Sequence, residues 1–328
     1  MKVVITGGGG FLGRKLARTL LARGKLTGAD GAEHEITELS LFDVTHPAPL
    51  PGGDNRVHQI TGDVADRALM RKLIGPDTMS VFHFAGVVSA GAEADFDLGY
   101  RVNLEGTLAV LEACRALPSP IKLVFTSSLA TFGGDYTETV GDETPQTPQT
   151  SYGVQKAIGE MLVQDYSRKG MLDGRSLRLP TIVVRPGKPN KAASTFASSI
   201  IREPLQGSDV ICPVTADVRM PVLSPRRTVE CFVHAHEVPG FALGKWRSVG
   251  LPSISVTVGE LVDALGRAGG EDAVKRIKWE PDPVIQKIVA TWPGEFTADK
   301  AKRLGFPVDR SADELVRYFI EDDLGKPN

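Results

Sequence analysis

Lys2-Val3-Val4-Ile5-Thr6-Gly7-Gly8-Gly9-Gly10-Phe11-Leu12-Gly13 opens the chain with a short β-branched run that gives way at once to glycine. The run predicts a buried strand over Lys2–Thr6. Arg14 to Arg23 follows with Leu16, Leu20 and Leu21 at helical spacing, so Gly7, Gly10 and Gly13 form a Gly-x-x-Gly-x-x-Gly spacing between a strand and a helix. In that context the glycines allow a tight turn and a close approach of backbone to a pyrophosphate, whose charge the helix N-terminus stabilises with free N–H groups. Gly7, Gly10, Phe11, Leu12 and Gly13 are therefore expected to bind a dinucleotide.

Outward from this stretch, strand and helix signals alternate. A second strand spans Ile36 to Phe42 and closes on Asp43, an acid placed to accept both ribose hydroxyls of NAD and to repel the extra phosphate of NADP. Asp43 lies further from the glycines than is usual, and Lys25 to Glu35 reads as an inserted polar loop. A third strand, Arg56 to Thr61, leads to Asp63 and Val64, expected beside the adenine ring; Asp63 could equally cap the helix Asp66 to Leu73. Ser80 to Phe84 is a fourth strand, followed by Ala85 and Gly86, small enough to let a cofactor pass. Gly99 to Ala116 reads as a long helix carrying Asn103, and Ile121 to Phe125 as the fifth strand. Five strands alternating with helices before residue 160 predict an α/β fold with a parallel, doubly wound sheet, whose cofactor lies at the carboxyl ends of the strands.

The fifth strand runs into Thr126-Ser127-Ser128, and beyond a loop rich in Gly, Thr and Pro comes Ser151-Tyr152-Gly153-Val154-Gln155-Lys156 on a helix. Tyr152 and Lys156 are one turn apart and share a face. Bringing a phenol from a pKa of about 10 to about 7 requires about 4 kcal/mol. One unit charge at about 4 Å and an effective dielectric of about 20 is worth about 4 kcal/mol, so Lys156 could supply most of it and a cationic cofactor the remainder. Tyr152 would then take a proton from a substrate hydroxyl held by Ser128, which makes alcohol oxidation or its reverse the implied reaction.

A sixth strand, Ser176 to Val184, ends in Arg185-Pro186-Gly187-Lys188-Pro189-Asn190. Prolines then break the chain into short pieces. Residues 1–180, with return segments from about 222–250, read as the dinucleotide-binding domain, and 181–221 with 251–328 as a smaller, irregular substrate-binding cap. Helices are expected at Thr257 to Ala268, capped by Thr257, and at Ser311 to Glu321, capped by Ser311. The acidic run Glu321 to Asp323 reads as a solvated helix end.

The 328 residues are enough for a sizeable core, and 38 basic against 40 acidic residues leave a net charge of -2. That balance provides no field for nucleic acid or an anionic membrane. Cys114, Cys212 and Cys231 are isolated, and His234 and His236 are two apart, so no metal site is expected. The first strand starts almost at Met1, leaving no room for a cleavable leader before it, and no apolar run is long enough to span a bilayer. The chain reads as cytoplasmic.

Thr6 to Gly13 together with Ser128, Tyr152 and Lys156 resembles the extended short-chain dehydrogenases/reductases, which include nucleotide-sugar epimerases and dehydratases. The resemblance implies a Rossmann domain, bound NAD, the Tyr/Lys/Ser mechanism and often a homodimer formed through the helices beginning near Gly99 and Tyr152. It also implies a place for Asn103 in the motif helix and for Pro180 at the cofactor. Within the family, Glu93 to Gly99, Pro148 to Tyr152, Arg178 to Asn190 and Ile201 to Leu205 resemble enzymes that oxidise the C2 hydroxyl of a small sugar acid. Arg219-Met220-Pro221-Val222 keeps an arginine but loses the acid found in nucleotide-sugar enzymes, and Phe132 stands where an aromatic with a hydroxyl is common. A 2-hydroxy acid needs a carboxylate anchor, for which Arg185, Lys188 and Arg219 are the candidate cations. Ser89, Ser127, Thr181 and Asn190 are candidates for sugar hydroxyls. A nucleotide-sugar epimerase or dehydratase that retains its NAD, and a dinucleotide-sensing regulator without turnover, stay open as alternatives.

Overall fold

The computed structural model describes residues 1–134, 139–187, 194–290 and 292–325. The chain begins with β1 (Lys2–Thr6), α1 (Phe11–Arg23), β2 (Lys25–Thr27), β3 (Glu33–Glu35), β4 (Glu38–Asp43) and β5 (Val57–Thr61). Next come α2 (Arg67–Leu73), β6 (Thr78–His83), α3 (Ser89–Ala94), α4 (Phe96–Gly99), a π-helical turn (Tyr100–Glu105), α5 (Gly106–Arg115) and β7 (Lys122–Ser128). After α6 (Ser151–Arg168), β8 (Asp173–Leu179) and β9 (Thr181–Ile182) lie α7 (Thr195–Leu205), β10 (Val210–Cys212), β11 (Arg219–Leu223) and α8 (Pro225–Glu237). The remainder is β12 (Ser248–Gly250), β13 (Ile254–Thr257), α9 (Val258–Val274), β14 (Ile277–Trp279), α10 (Pro283–Ala290), α11 (Asp299–Arg303) and α12 (Ala312–Asp322).

These elements divide into two compact units. The first comprises Met1–Thr131, Thr150–Arg178 and Val229–Val249, and the second Phe132–Gln149, Leu179–Thr228 and Gly250–Asn328. Sequence reading had put 132–149 with the dinucleotide-binding part. That segment belongs to the second unit because Val140 bridges Phe296, the Thr297 N–H donates to the Val140 carbonyl at 2.9 Å, and the Lys300 N–H donates to Asp142 at 2.8 Å.

The first unit is built on a seven-stranded parallel sheet in the order β12-β8-β7-β6-β1-β4-β5. From β1 the chain winds outward through β4 and β5, then returns to β6 and winds the other way, so the order reverses between β1 and β6. Alternate residues of each strand face opposite sides. Val4, Phe42, Val81, Leu123 and Phe125 pack with α2, α5 and α6, while Phe82 stacks on His236 and Phe84 meets Phe232 at a tilt, both partners on α8. The second unit carries a three-stranded sheet, β13-β11-β9, a two-stranded sheet, β10-β14, and a core to which α7, α9 and α12 contribute.

Four local expectations are corrected. Lys25 to Glu35 is an antiparallel hairpin, β2 against β3, rather than a loop. The sixth strand stops at Leu179, because Pro180 lacks a ladder donor, and the chain resumes at Thr181 in another sheet beside β11. Ser311 precedes α12 without a side-chain cap; Glu314 instead accepts the Arg310 N–H at 2.9 Å. Glu321 and Asp322 are ion-paired with Arg226 rather than simply solvated. Thr257 does cap α9, in a reciprocal capping box with Glu260.

Candidate active site

The reversal between β1 and β6 is where the glycines lie. Gly7 has φ +70°, and a Cβ there would stand 2.7 Å from the Ala85 nitrogen; one on Gly13 would stand 2.5 Å from the Gly7 carbonyl. Both positions exclude any side chain and hold the turn flat against α1. Gly10 is the N-cap of α1 and supplies no side-chain cap, so the first-turn N–H groups, on a helix led by Phe11 and Leu12, are left for a ligand. Asp43, at the end of β4, accepts the Gly9 N–H at 3.0 Å and the Val44 N–H at 2.8 Å. A flat glycine turn, an open helix start and an acid beside them fit a dinucleotide.

Asp63 accepts the Ala65 N–H at 2.9 Å and forms an ion pair with Arg101. Asp66, not Asp63, caps α2, accepting the N–H groups of Ala68 and Leu69. Val64 buries its side chain against Gly106. Ala85 and Gly86 follow β6, and a Cβ on Gly86 would lie 3.0 Å from the Asn103 Oδ1 and 3.5 Å from the Lys156 ammonium. Asn103 sits in the π-helical turn; its amide donates to the Val87 carbonyl and to Gln155 and accepts the Val87 N–H at 2.8 Å. It therefore braces the Gly86–Val87 backbone. Pro180 is buried between β8 and β9.

Ser128 ends β7, and Thr150 caps α6 by accepting the Gly153 N–H at 3.1 Å, which puts Tyr152 in the first helical turn. The phenol lies near Ser128, whose hydroxyl acts to lower its pKa. Lys156 is buried, donates to the Thr126 carbonyl at 2.8 Å and lies 4.9 Å over the Phe125 ring and 5.7 Å from the Tyr152 ring centre. The three residues expected to converge do so. The electrostatics differ from the sequence arithmetic, however. Burial pushes the Tyr152 phenol up to about 12 against the opposing Ser128 hydrogen bond. Burial also brings the Lys156 ammonium down to about 8, with Glu160 opposing it. Desolvation thus outweighs the Ser128 hydroxyl's help in the chain alone.

Ser127 is a correction: its hydroxyl is buried and donates to Glu160, so it is unavailable to a sugar. Glu160 in turn takes three guanidinium bonds from Arg178, at 2.9 to 3.1 Å, and the pair is almost wholly excluded from water. Ser89 begins α3 and Thr181 begins β9, both half-buried. Within the second unit Arg185 donates to Ser194 at 2.9 Å and has no carboxylate partner among the described residues; burial, then the neighbouring Arg202, lower its pKa. Arg219 is half exposed, donates to the Ser255 carbonyl at 3.1 Å and stands 3.9 Å from Glu260. Lys188 and Asn190 lie outside the described residues.

Sequence reasoning missed Glu160, Gln155, Arg178 and His83. Glu160 falls one helical turn after Lys156, a usable signal. Arg178 and His83 carry no such mark, since only the folded sheet shows that both are buried.

Residues 3–242 match the model of the NAD dependent epimerase/dehydratase family. The chain is 51% identical over 322 residues to a D-erythronate dehydrogenase of Cupriavidus necator, covering 98% of each protein. It is 45% identical over 324 residues to a D-erythronate dehydrogenase of Haemophilus influenzae, covering 99% of this chain and all of that one. A solved structure from Agrobacterium tumefaciens, described as a nucleoside-diphosphate-sugar epimerase, superposes with a TM-score of 0.93 at 40% identity, covering 100% of this chain and 95% of that one. The glycine cradle, the converging Tyr152, Ser128 and Lys156, and these full-length matches agree: the chain belongs to the NAD-dependent epimerase/dehydratase family, and its cofactor is NAD.

Proposed function

We propose that the chain oxidises the C2 hydroxyl of a small sugar acid, D-erythronate before others, to the 2-keto acid. The observation that carries the reading is the convergence of Ser128 and Tyr152 with buried Lys156, whose ammonium donates to the Thr126 carbonyl and lies 5.7 Å from the Tyr152 ring centre. Two full-length relatives named for that substrate support it. Bound NAD supplies the hydride acceptor and a positive charge on its nicotinamide ring. Ser128 holds the substrate oxygen, Tyr152 takes the hydroxyl proton, and Lys156 stabilises the phenolate. The glycine turn and the α1 N-terminus hold the pyrophosphate, and Asp43 the adenosine ribose.

The carboxylate anchor we assign is Arg185, a cation whose described partners are a hydroxyl and no acid. Arg219 is the second choice because the Ser255 carbonyl and Glu260 already engage it. Ser89 and Thr181 remain proposed contacts for substrate hydroxyls. We further assign a homodimer. Its support is that α4 packs against α6, leaving Phe96, Leu98 and Met161 exposed on these two helices. Among the described residues no helix is long and apolar enough to cross a membrane. The three cysteines are buried and form no disulfide among the described residues, which agrees with the reducing cytoplasm.

The name of the Agrobacterium structure favours a second reading, an epimerase that returns its hydride to a nucleotide sugar. Net NADH formation with purified protein, NAD and a panel of four- to six-carbon sugar acids separates the two. D-Erythronate is expected to yield NADH, and Tyr152→Phe to cut that rate by about 10²- to 10⁴-fold. No NADH with any acid, together with NAD retained through purification, would move the assignment to the epimerase.

A further inference from the structure

His83, the last residue of β6, is buried, stacks on Phe125 at 5.6 Å, and hydrogen-bonds through both ring nitrogens. The direction of every bond follows from counting protons. The Thr107 hydroxyl donates to the Asn103 carbonyl at 2.7 Å, which uses its single proton. The 3.0 Å contact between Thr107 and the His83 Nε2 must then run from the ring N–H to the hydroxyl oxygen. Burial, then the charge of Lys156, hold the ring neutral, its pKa lowered to about 3. A neutral ring has one proton, so Nδ1 accepts, and the Thr6 hydroxyl donates to it at 2.7 Å. The Thr6 oxygen in turn accepts the Ala85 N–H at 3.2 Å.

One ordered chain therefore runs from the Ala85 N–H through Thr6, His83 and Thr107 to the Asn103 carbonyl. Its upper end fixes Thr6, the residue before Gly7, to Ala85, the residue before Gly86. Its lower end fixes the backbone of Asn103, whose side chain grips Val87 by both its N–H and its carbonyl. Gly86, which faces Lys156, is thus held from both sides. An imidazolium would have two donors and would turn the Thr6 hydroxyl from donor to acceptor; the opposite neutral tautomer would set two lone pairs against each other at Nε2.

We propose that His83, as the neutral Nε2–H tautomer, is the positioning residue that sets the Thr6–Gly7 and Ala85–Val87 backbones at the spacing NAD requires. The proposal rests on the NAD site and goes beyond the proton transfer assigned to Tyr152.

Two measurements test it. Long-range ¹⁵N–¹H correlation on the wild-type protein is expected to show His83 protonated at Nε2 and bare at Nδ1; protonation at Nδ1, or at both, overturns the assignment. The second compares NAD affinity by calorimetry in wild type, His83→Ala, and the triple variant Thr6→Val/His83→Leu/Thr107→Val. The triple variant replaces the polar row by apolar groups of similar shape, a change that can be nearly neutral for stability. It is expected to keep a melting temperature near that of wild type yet to bind NAD on the order of 10-fold more weakly. The KM for the sugar acid is expected to stay within about 2-fold, as for a residue that acts on coenzyme binding alone. Wild-type affinity for NAD in the triple variant overturns the positioning role while leaving the NAD site intact. A wild-type protein that binds no NAD overturns both.

Discussion

Tyr152 has to act as a base in surroundings that make it a poor acid. Its phenol is pushed up to about 12 by burial, and Lys156 comes down to about 8. The base form of Tyr152 gains population as pH rises, while the ammonium that stabilises it is lost above about 8. For sugar-acid oxidation, kcat/KM is accordingly expected to climb with pH from about 6 and to flatten near 8 to 9. In Lys156→Met the climb should move to higher pH. A pH–rate profile that falls across this range would rule out Tyr152 as the base. The spacing of Tyr152 and Lys156 was legible in the sequence, and so was the chemistry it serves. Desolvation was not, because the sequence arithmetic gave the phenol its free-solution starting point, and burial is a property of the assembled strand and helix. Ser127 misled for a related reason. It stands beside Ser128 on β7, but successive strand residues face opposite ways, and its hydroxyl goes to Glu160.

Between α6 and β7 the contact is close. A Cβ on Gly159 would stand 2.6 Å from the Phe125 ring, the same ring that lies under Lys156 and against His83. The next residue, Glu160, meets Arg178 of β8 in a buried pair. Removing the cation leaves a carboxylate uncompensated away from water, so Arg178→Met is expected to destabilise by about 3–5 kcal/mol. Chemical denaturation would measure this, and a loss below about 1 kcal/mol would mean that the site relaxes to admit water. Strands and helices with strong periodicity, such as β1, α1, β7 and α6, could be read directly. The β2–β3 hairpin could not, since strands of three residues with charged neighbours have too little alternation to register. Pro180 was visible, but strand-like sequence on either side of it, alternating up to Leu179 and apolar from Ile182 to Val184, concealed that the chain changes sheets there.

At the scale of the molecule, acid sensitivity follows from the buried imidazoles. Burial first, then Lys156, lowers His83 to about 3; burial foremost lowers His236 to about 4, where Nδ1 donates to Glu237 and Nε2 shares a bond with Ser80. Both folded values lie below the unfolded value of about 6.5, so the unfolded chain binds more protons in between. The stability they permit is complete above about 6.5 and is lost as pH falls towards 4 and then 3. Melting temperature is expected to be level near neutrality and to drop across that window; a level profile down to pH 4 would contradict it. The homodimer proposed from the exposed Phe96, Leu98 and Met161 is tested by mass. Light scattering should report a dimer for the wild type and a monomer for Met161→Glu, since a charge in an apolar interface is desolvated without a partner. An unchanged mass in the variant would place the interface elsewhere.

The two units also interleave along the chain, with consequences for biosynthesis. The first unit is not complete until Val249 has been made, whereas the second already begins at Phe132. Phe82 of β6 and Phe84 just after it wait for His236 and Phe232, about half the chain later in synthesis. A nascent polypeptide released at residue 180 would hold the glycine turn, Tyr152 and Lys156, and still leave Phe82 and Phe84 without their cover from α8. Such a chain is material for chaperones rather than a coenzyme-binding fragment, and the unit that holds the chemistry cannot close until Val249 has been made, long after its glycine turn and its Tyr152.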